Sequence, residues 1–124
     1  MMISAPETRF RLVSGPHGWG WVLGGGTHGA IVGTSATYHP TVHACLHSIE
    51  LTQEAPLSRL RVTGSDTGGW GWELVDDGGR PLAQSAISYA DCTRARSEMM
   101  QFRRCAVRAV TPGRVAAHTG TRTG

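Results

Sequence analysis

The sequence predicts an α+β fold in which two successive units, each three strands and a helix, share a single antiparallel sheet with the helices packed on one face. Three observations predict it. Residues 9–23 read RFRLVSGPHGWGWVL and residues 59–74 read RLRVTGSDTGGWGWEL, so one inserted residue brings Arg9, Arg11, Trp19, Trp21 and Leu23 onto Arg59, Arg61, Trp70, Trp72 and Leu74. Within each copy the apolar spacing changes from every second residue to the three-and-four spacing of a helix. A unit of roughly fifty residues cannot cover its own apolar face, so the two must share one sheet.

In the first unit, Arg9 to Val13 alternates charged and apolar residues, the pattern of a half-buried strand. Gly15-Pro16-His17-Gly18 forms a turn, and Trp19 to Leu23 alternates again as a second strand. Gly24 to Gly29 is another turn, leading to a third strand from Ala30 to Ser35. Val42, Cys45, Leu46 and Ile49 then fall on one helical face, with Pro40 and Thr41 at its start and Pro56 beyond its end. The second unit repeats this order, with strands near 59–63, 70–75 and 80–86. Its helix, near 91–103, carries Cys92, Ala95, Met99 and Phe102 as the apolar stripe, and Ala106 to Val110 reads as a last strand. Ser35-Ala36 recurs as Ser85-Ala86, and Tyr38 is matched to Tyr89 with a slip of one residue.

Alternation also sets the side-chain directions. Phe10, Leu12, Leu60 and Val62 face the helices, which puts Arg9, Arg11, Arg59 and Arg61 on the opposite, open face. The tryptophans are the expected core, being the largest apolar side chains available. Gly20 and Gly71 lie on the other side of their strands, where a missing side chain leaves room for a neighbour.

Composition narrows the function classes. The 124 residues carry a net charge of +3, and all twelve basic residues are arginine. Residues 112–124 hold Arg114 and Arg122 and no acid, so most of the excess sits in an expected disordered tail rather than in the folded part. That is a weak footprint for a polyanion partner. No apolar run approaches the roughly 18–20 residues of a membrane span, and the first residues lack the features of a secretory leader, so a cytoplasmic protein is expected. Cys45, Cys92 and Cys105 are odd in number and form no CxxC pair, which argues against a disulfide framework or a zinc knuckle.

Two tandem copies of an aromatic strand, a turn, an aromatic-x-aromatic-x-Leu strand and a Ser–Tyr step before a helix resemble the YegP-like family, small bacterial and archaeal proteins with a domain of unknown function. The first copy supplies Phe10, Trp19, Trp21, Leu23, Val32, Ser35 and Tyr38; the second supplies Leu60, Trp70, Trp72, Leu74, Leu82, Ser85 and Tyr89. The resemblance covers residues 8–110. It implies two tandem β-β-β-α-β units in one sheet with exchanged terminal strands, the strand near 57–63 closing the first unit and that near 105–110 reaching back to its edge. The resulting division is an extension at 1–7, repeats at 8–56 and 57–111, and the tail at 112–124. Ser-x-x-x-Tyr in the second copy departs from the family's Ser-x-x-Tyr, and the resemblance implies no catalytic residues.

The glycine-rich turns lead into strands rather than helices and lack a following Gly-Lys-Ser/Thr, so they are hairpin turns and not phosphate loops. His39, His43 and His47 stand four apart, with Glu50 three residues on, and two histidines at that spacing can hold zinc. The second unit offers only polar residues at the matching positions, Thr93 and Ser97 or Arg94 and Glu98, which marks a solvated flank; no metal and no cofactor is assigned. Cys45 lies on the apolar side of that helix, away from the histidines, and Asp76-Asp77 closes a turn. The candidate anion-binding residues are Arg9, Arg11, Arg59 and Arg61, since guanidinium groups suit phosphate or carboxylate recognition.

The function expected is that of a non-catalytic interaction or assembly module, homodimeric through its outer strands. The alternative is a module that binds an anionic ligand or nucleic acid through the arginine-bearing face.

Overall fold

The computed structural model describes residues 8–25 and 29–112; the expected extension at 1–7 and the tail beyond Pro112 lie outside the described residues. β1 (Arg9–Gly15), β2 (Gly18–Gly24) and β3 (Ile31–Ser35) precede α1 (Val42–Glu54). β4 (Leu60–Ser65), β5 (Gly69–Val75) and β6 (Pro81–Gln84) precede α2 (Cys92–Arg108). All six strands form one antiparallel sheet in the order β1-β2-β3-β6-β5-β4, so β1 and β4 are its outer edges. The join between the two halves is short: Thr34 pairs with Gln84, and Ser35 with Ala83. Among the described residues no helix is long and apolar enough to cross a membrane.

Both helices begin on a side-chain cap. Thr41 accepts from the Ala44 N–H at 3.0 Å and Asp91 from the Arg94 N–H at 2.7 Å, each satisfying a donor that the first helical turn leaves free. Their apolar faces cover one side of the sheet. Phe10, Trp21, Leu23, Trp72 and Leu74 from the strands are buried against Cys45, Ile49, Ala95, Met99 and Phe102 from the helices. Trp19 and Trp70 are half-buried at the rim, and Trp70 Nε1 donates to Asp66 at 2.9 Å.

Phe102 is the middle of this core. Its ring lies tilted against Trp72, with centroids 4.5 Å apart, and nearly parallel to Trp21 at 6.4 Å, while Phe10 meets Trp21 edge-on at 5.1 Å. Gly33 of β3 makes the space: a Cβ there would stand 2.5 Å from Phe102 Cδ1 and 2.9 Å from Trp72. The helices also close each other's C-termini. Gln53 of α1 donates to the carbonyls of Ala106 and Ala109 at 2.9 and 3.1 Å, and Arg103 of α2 donates to that of Ala55 at 2.9 Å.

Three expectations are corrected. Residues 106–108 are not strand but the last turn of α2, because Phe102, Cys105 and Ala106 continue the buried helical stripe begun by Ala95 and Met99. What remains of the expected exchanged strand is one parallel bridge between Val110 and Arg9. Arg59 is not on a strand; it ends a tight 3-10 turn, Leu57–Arg59, in which its N–H bonds to the Pro56 carbonyl at 3.0 Å. Finally, Tyr89 matches His39 and not Tyr38. Trp19 exchanges both backbone hydrogen bonds with His39, and Trp70 does the same with Tyr89, leaving Ser88 opposite Tyr38 in the comparison.

Candidate functional site

The sheet face turned away from the helices is crossed by a single row of paired residues, Arg11–Val22–Thr34–Gln84–Glu73–Arg61. It is nearly symmetrical about the join of Thr34 and Gln84, with an arginine at each end. The ends differ electrically. Arg61 Nε donates to Glu73 Oε2 at 2.6 Å, whereas the neighbour of Arg11 is Val22.

The structure thus sets Arg9 and Arg11 on β1 and Arg61 on β4, at opposite edges of six strands, roughly 24 Å apart at the usual strand spacing. Arg59 lies off the sheet face and pairs with Asp77 at 2.8 Å. The four arginines do not form one cluster. Arg9 and Arg11 instead flank a small hollow of about 180 Å³ floored by Gly24 and Gly29.

At the other end of the same two strands is a residue whose position the sequence did not disclose. Tyr38, 53% exposed, lays its ring over the glycines of β1 and β2: a Cβ at Gly15 or Gly20 would stand 3.4 Å from Tyr38 Cε1. His17 is its aromatic neighbour, 6.3 Å between ring centres. Underneath, Gly20 also admits Ser35, whose hydroxyl accepts from the Trp21 backbone N–H at 3.1 Å. Gly71 and Ser85 repeat that contact at Trp72, at 3.3 Å. Both serines act where the next strand ends, supplying an acceptor in place of a ladder carbonyl.

The remaining candidates are dispersed. His43 and His47 are exposed on α1, His47 Nδ1 standing 3.5 Å from Glu50. His39 is turned to the strand bridge with Trp19, and burial lowers its pKa below the ordinary value. Among the described residues no three metal-ligating side chains converge. Cys45 is fully buried, and burial pushes its thiol pKa up, which disfavours the thiolate a nucleophile would need. Asp76 accepts from the N–H groups of Arg80 and Gly78 at 2.9 and 2.8 Å; these bonds, that from Arg80 foremost, hold its carboxyl below the usual range and close the β5–β6 turn.

No protein-family model matches the sequence, and no curated protein matches it. Two solved structures are similar. One, a solution NMR structure of a UPF0339 protein from Shewanella oneidensis, superposes with a TM-score of 0.71 at 14% identity, over 86% of this chain and 90% of that one. The other, the solution NMR structure of yegP from E. coli, described as a protein of unknown function, gives 0.71 at 14% identity, over 87% and 93%. This chain therefore has the fold of the UPF0339 and yegP structures.

Proposed function

We propose that the chain is a YegP-like protein of two tandem units and works as a non-catalytic module that assembles into a homodimer through the outer edge of β4. The observation that carries this reading is the direction of the backbone groups on that edge. Trp72 turns its N–H and carbonyl toward Ser85 of the neighbouring segment, so Val62, paired with Trp72, turns its own away from the sheet. Among the described residues nothing bonds to Val62 there. Such an edge is a template for another strand.

The other edge is less suited to self-pairing. Val110 bonds to Thr8 and Phe10 at the start of β1, and Arg11 has no carboxylate beside it, so two β1 strands would bring like charges together. On β4 the charge of Arg61 is offset by Glu73. Two β4 edges related by a two-fold axis give a closed dimer rather than a filament.

Sedimentation over a wide concentration range tests this. Wild type is expected to pass from monomer to dimer, and Val62→Pro, which removes the edge N–H, to remain monomeric with its melting transition still cooperative. A wild-type mass that stays monomeric at every concentration overturns the reading.

A further inference from the structure

The two halves of the open face carry different chemistry at corresponding places. Where the β4–β5 half has Arg61 neutralised by Glu73, and Ser88, the β1–β2 half has Arg11 beside Val22, and Tyr38. No Asp or Glu occurs from residue 8 to residue 49, since eight of the nine acids lie from Glu50 onward. The modest net charge of the whole chain therefore hides a half-face on which Arg11 meets no carboxylate from its own strands.

Three features line up along that half. At one end is the hollow of about 180 Å³ lined by Arg9, Arg11, Gly24 and Gly29. Next come Val13 and Val22, on the same face. At the far end is the Tyr38 ring, supported beneath by Gly15 and Gly20 and exposed above. Gly24 and Gly20 are four residues apart on β2, about 13 Å at strand spacing. A single nucleotide, whose phosphate and base are separated by only a ribose, is too short to span them.

We propose that the β1–β2 half of the open face is a track for single-stranded nucleic acid, one base stacking on Tyr38 and backbone phosphates lying against Arg11 and along the hollow that it lines. Aromatic stacking with arginine contacts to the backbone is the chemistry that binds single strands without reading sequence. The site is separate from the β4 edge, so dimerisation leaves it uncovered, and either proposal can fail without the other.

The test is fluorescence anisotropy with labelled 12-mers of uridylate and thymidylate, with uridine monophosphate as competitor, at several salt concentrations. Wild type is expected to bind a 12-mer with affinity falling as salt rises, the monophosphate competing far more weakly. Tyr38→Ala is expected to weaken binding about ten-fold or more without changing the salt dependence, and Tyr38→Phe to retain it. Arg11→Gln is expected to weaken binding and lower the salt slope by about 0.7, the value for one phosphate contact to a single strand. Arg61→Gln, at the mirror position, is expected to bind as wild type does. Failure of wild type to bind either 12-mer at low salt, competition by the monophosphate as strong as by the oligomer, or equal losses in Arg11→Gln and Arg61→Gln overturns the proposal. Thermal melts of each variant separate lost binding from lost folding.

Discussion

Trp21 and Ser48 meet inside the core, the indole N–H donating to the Ser48 hydroxyl at 3.0 Å, while the equally buried Trp72 has no partner for its Nε1 among the described residues. Replacing either tryptophan with Phe removes the same atoms. Trp21→Phe also breaks a buried hydrogen bond and strands the Ser48 hydroxyl, whereas Trp72→Phe deletes a donor that is already unpaired. Trp21→Phe is therefore expected to be the more destabilising by about 1 kcal/mol in urea unfolding. Equal losses would show that the Ser48 bond contributes nothing net.

Gly33 is needed for its lack of a side chain. A methyl there meets the Phe102 ring and Trp72 together, and both are buried in the core. Gly33→Ala is expected to cost about 1–3 kcal/mol, the usual range for overpacking. Combined with Phe102→Leu, its cost should shrink well below the additive sum, which a double-mutant cycle measures.

Gln53 serves two carbonyls at the end of α2 from the end of α1. Gln53→Leu is expected to lower stability by about 1–2 kcal/mol through the loss of both bonds. Gln53→Glu replaces the donor with a carboxylate facing two carbonyl oxygens. Its loss is expected to be greater at neutral pH than under acid conditions that protonate the new side chain, a difference that Leu at this position does not show.

Burial lowers the His39 pKa from its ordinary value of 6.5. Between that value and the lowered one, the unfolded chain holds a proton that the folded chain does not, so unfolding is favoured as pH falls. The contribution of His39 to stability is therefore constant above the ordinary value, declines as pH drops through 6.5, and levels off below the folded value. His39→Tyr, which installs the residue found at the matching bridge of Trp70, is expected to flatten the melting temperature across that window. An unchanged pH profile in the variant would assign the dependence elsewhere.

Local pattern made the strands, the helical stripes and the buried face legible. Phe10, Trp21 and Trp72 are core because alternation puts them opposite charged or absent side chains. The last turn of α2 is ambiguous in sequence because Ala-Val-Arg-Ala-Val satisfies a short strand as well as a continuing helix, and only the packing of Cys105 and Ala106 decides between them. The correct partner of Tyr89 does leave a signal in the sequence: fifty residues separate Ser35 from Ser85 and also Thr41 from Asp91, and both of the latter are good helix caps. Counting from the serines puts His39 on Tyr89. The row from Arg11 to Arg61 was beyond reach, since it exists only once β3 pairs with β6, a contact that no local period announces.

The brevity of that β3–β6 join bears on how the halves depend on each other. Two residue pairs tie the ladders together, while Phe102 from the second half completes the core over Gly33 of the first, and Gln53 of the first finishes the helix of the second. A chain severed near Pro56 would yield two fragments that are each unfinished in a place only the other can fill. Mixed together, they are expected to regain structure that neither attains alone, making the protein a natural split pair rather than two independent beads on a string.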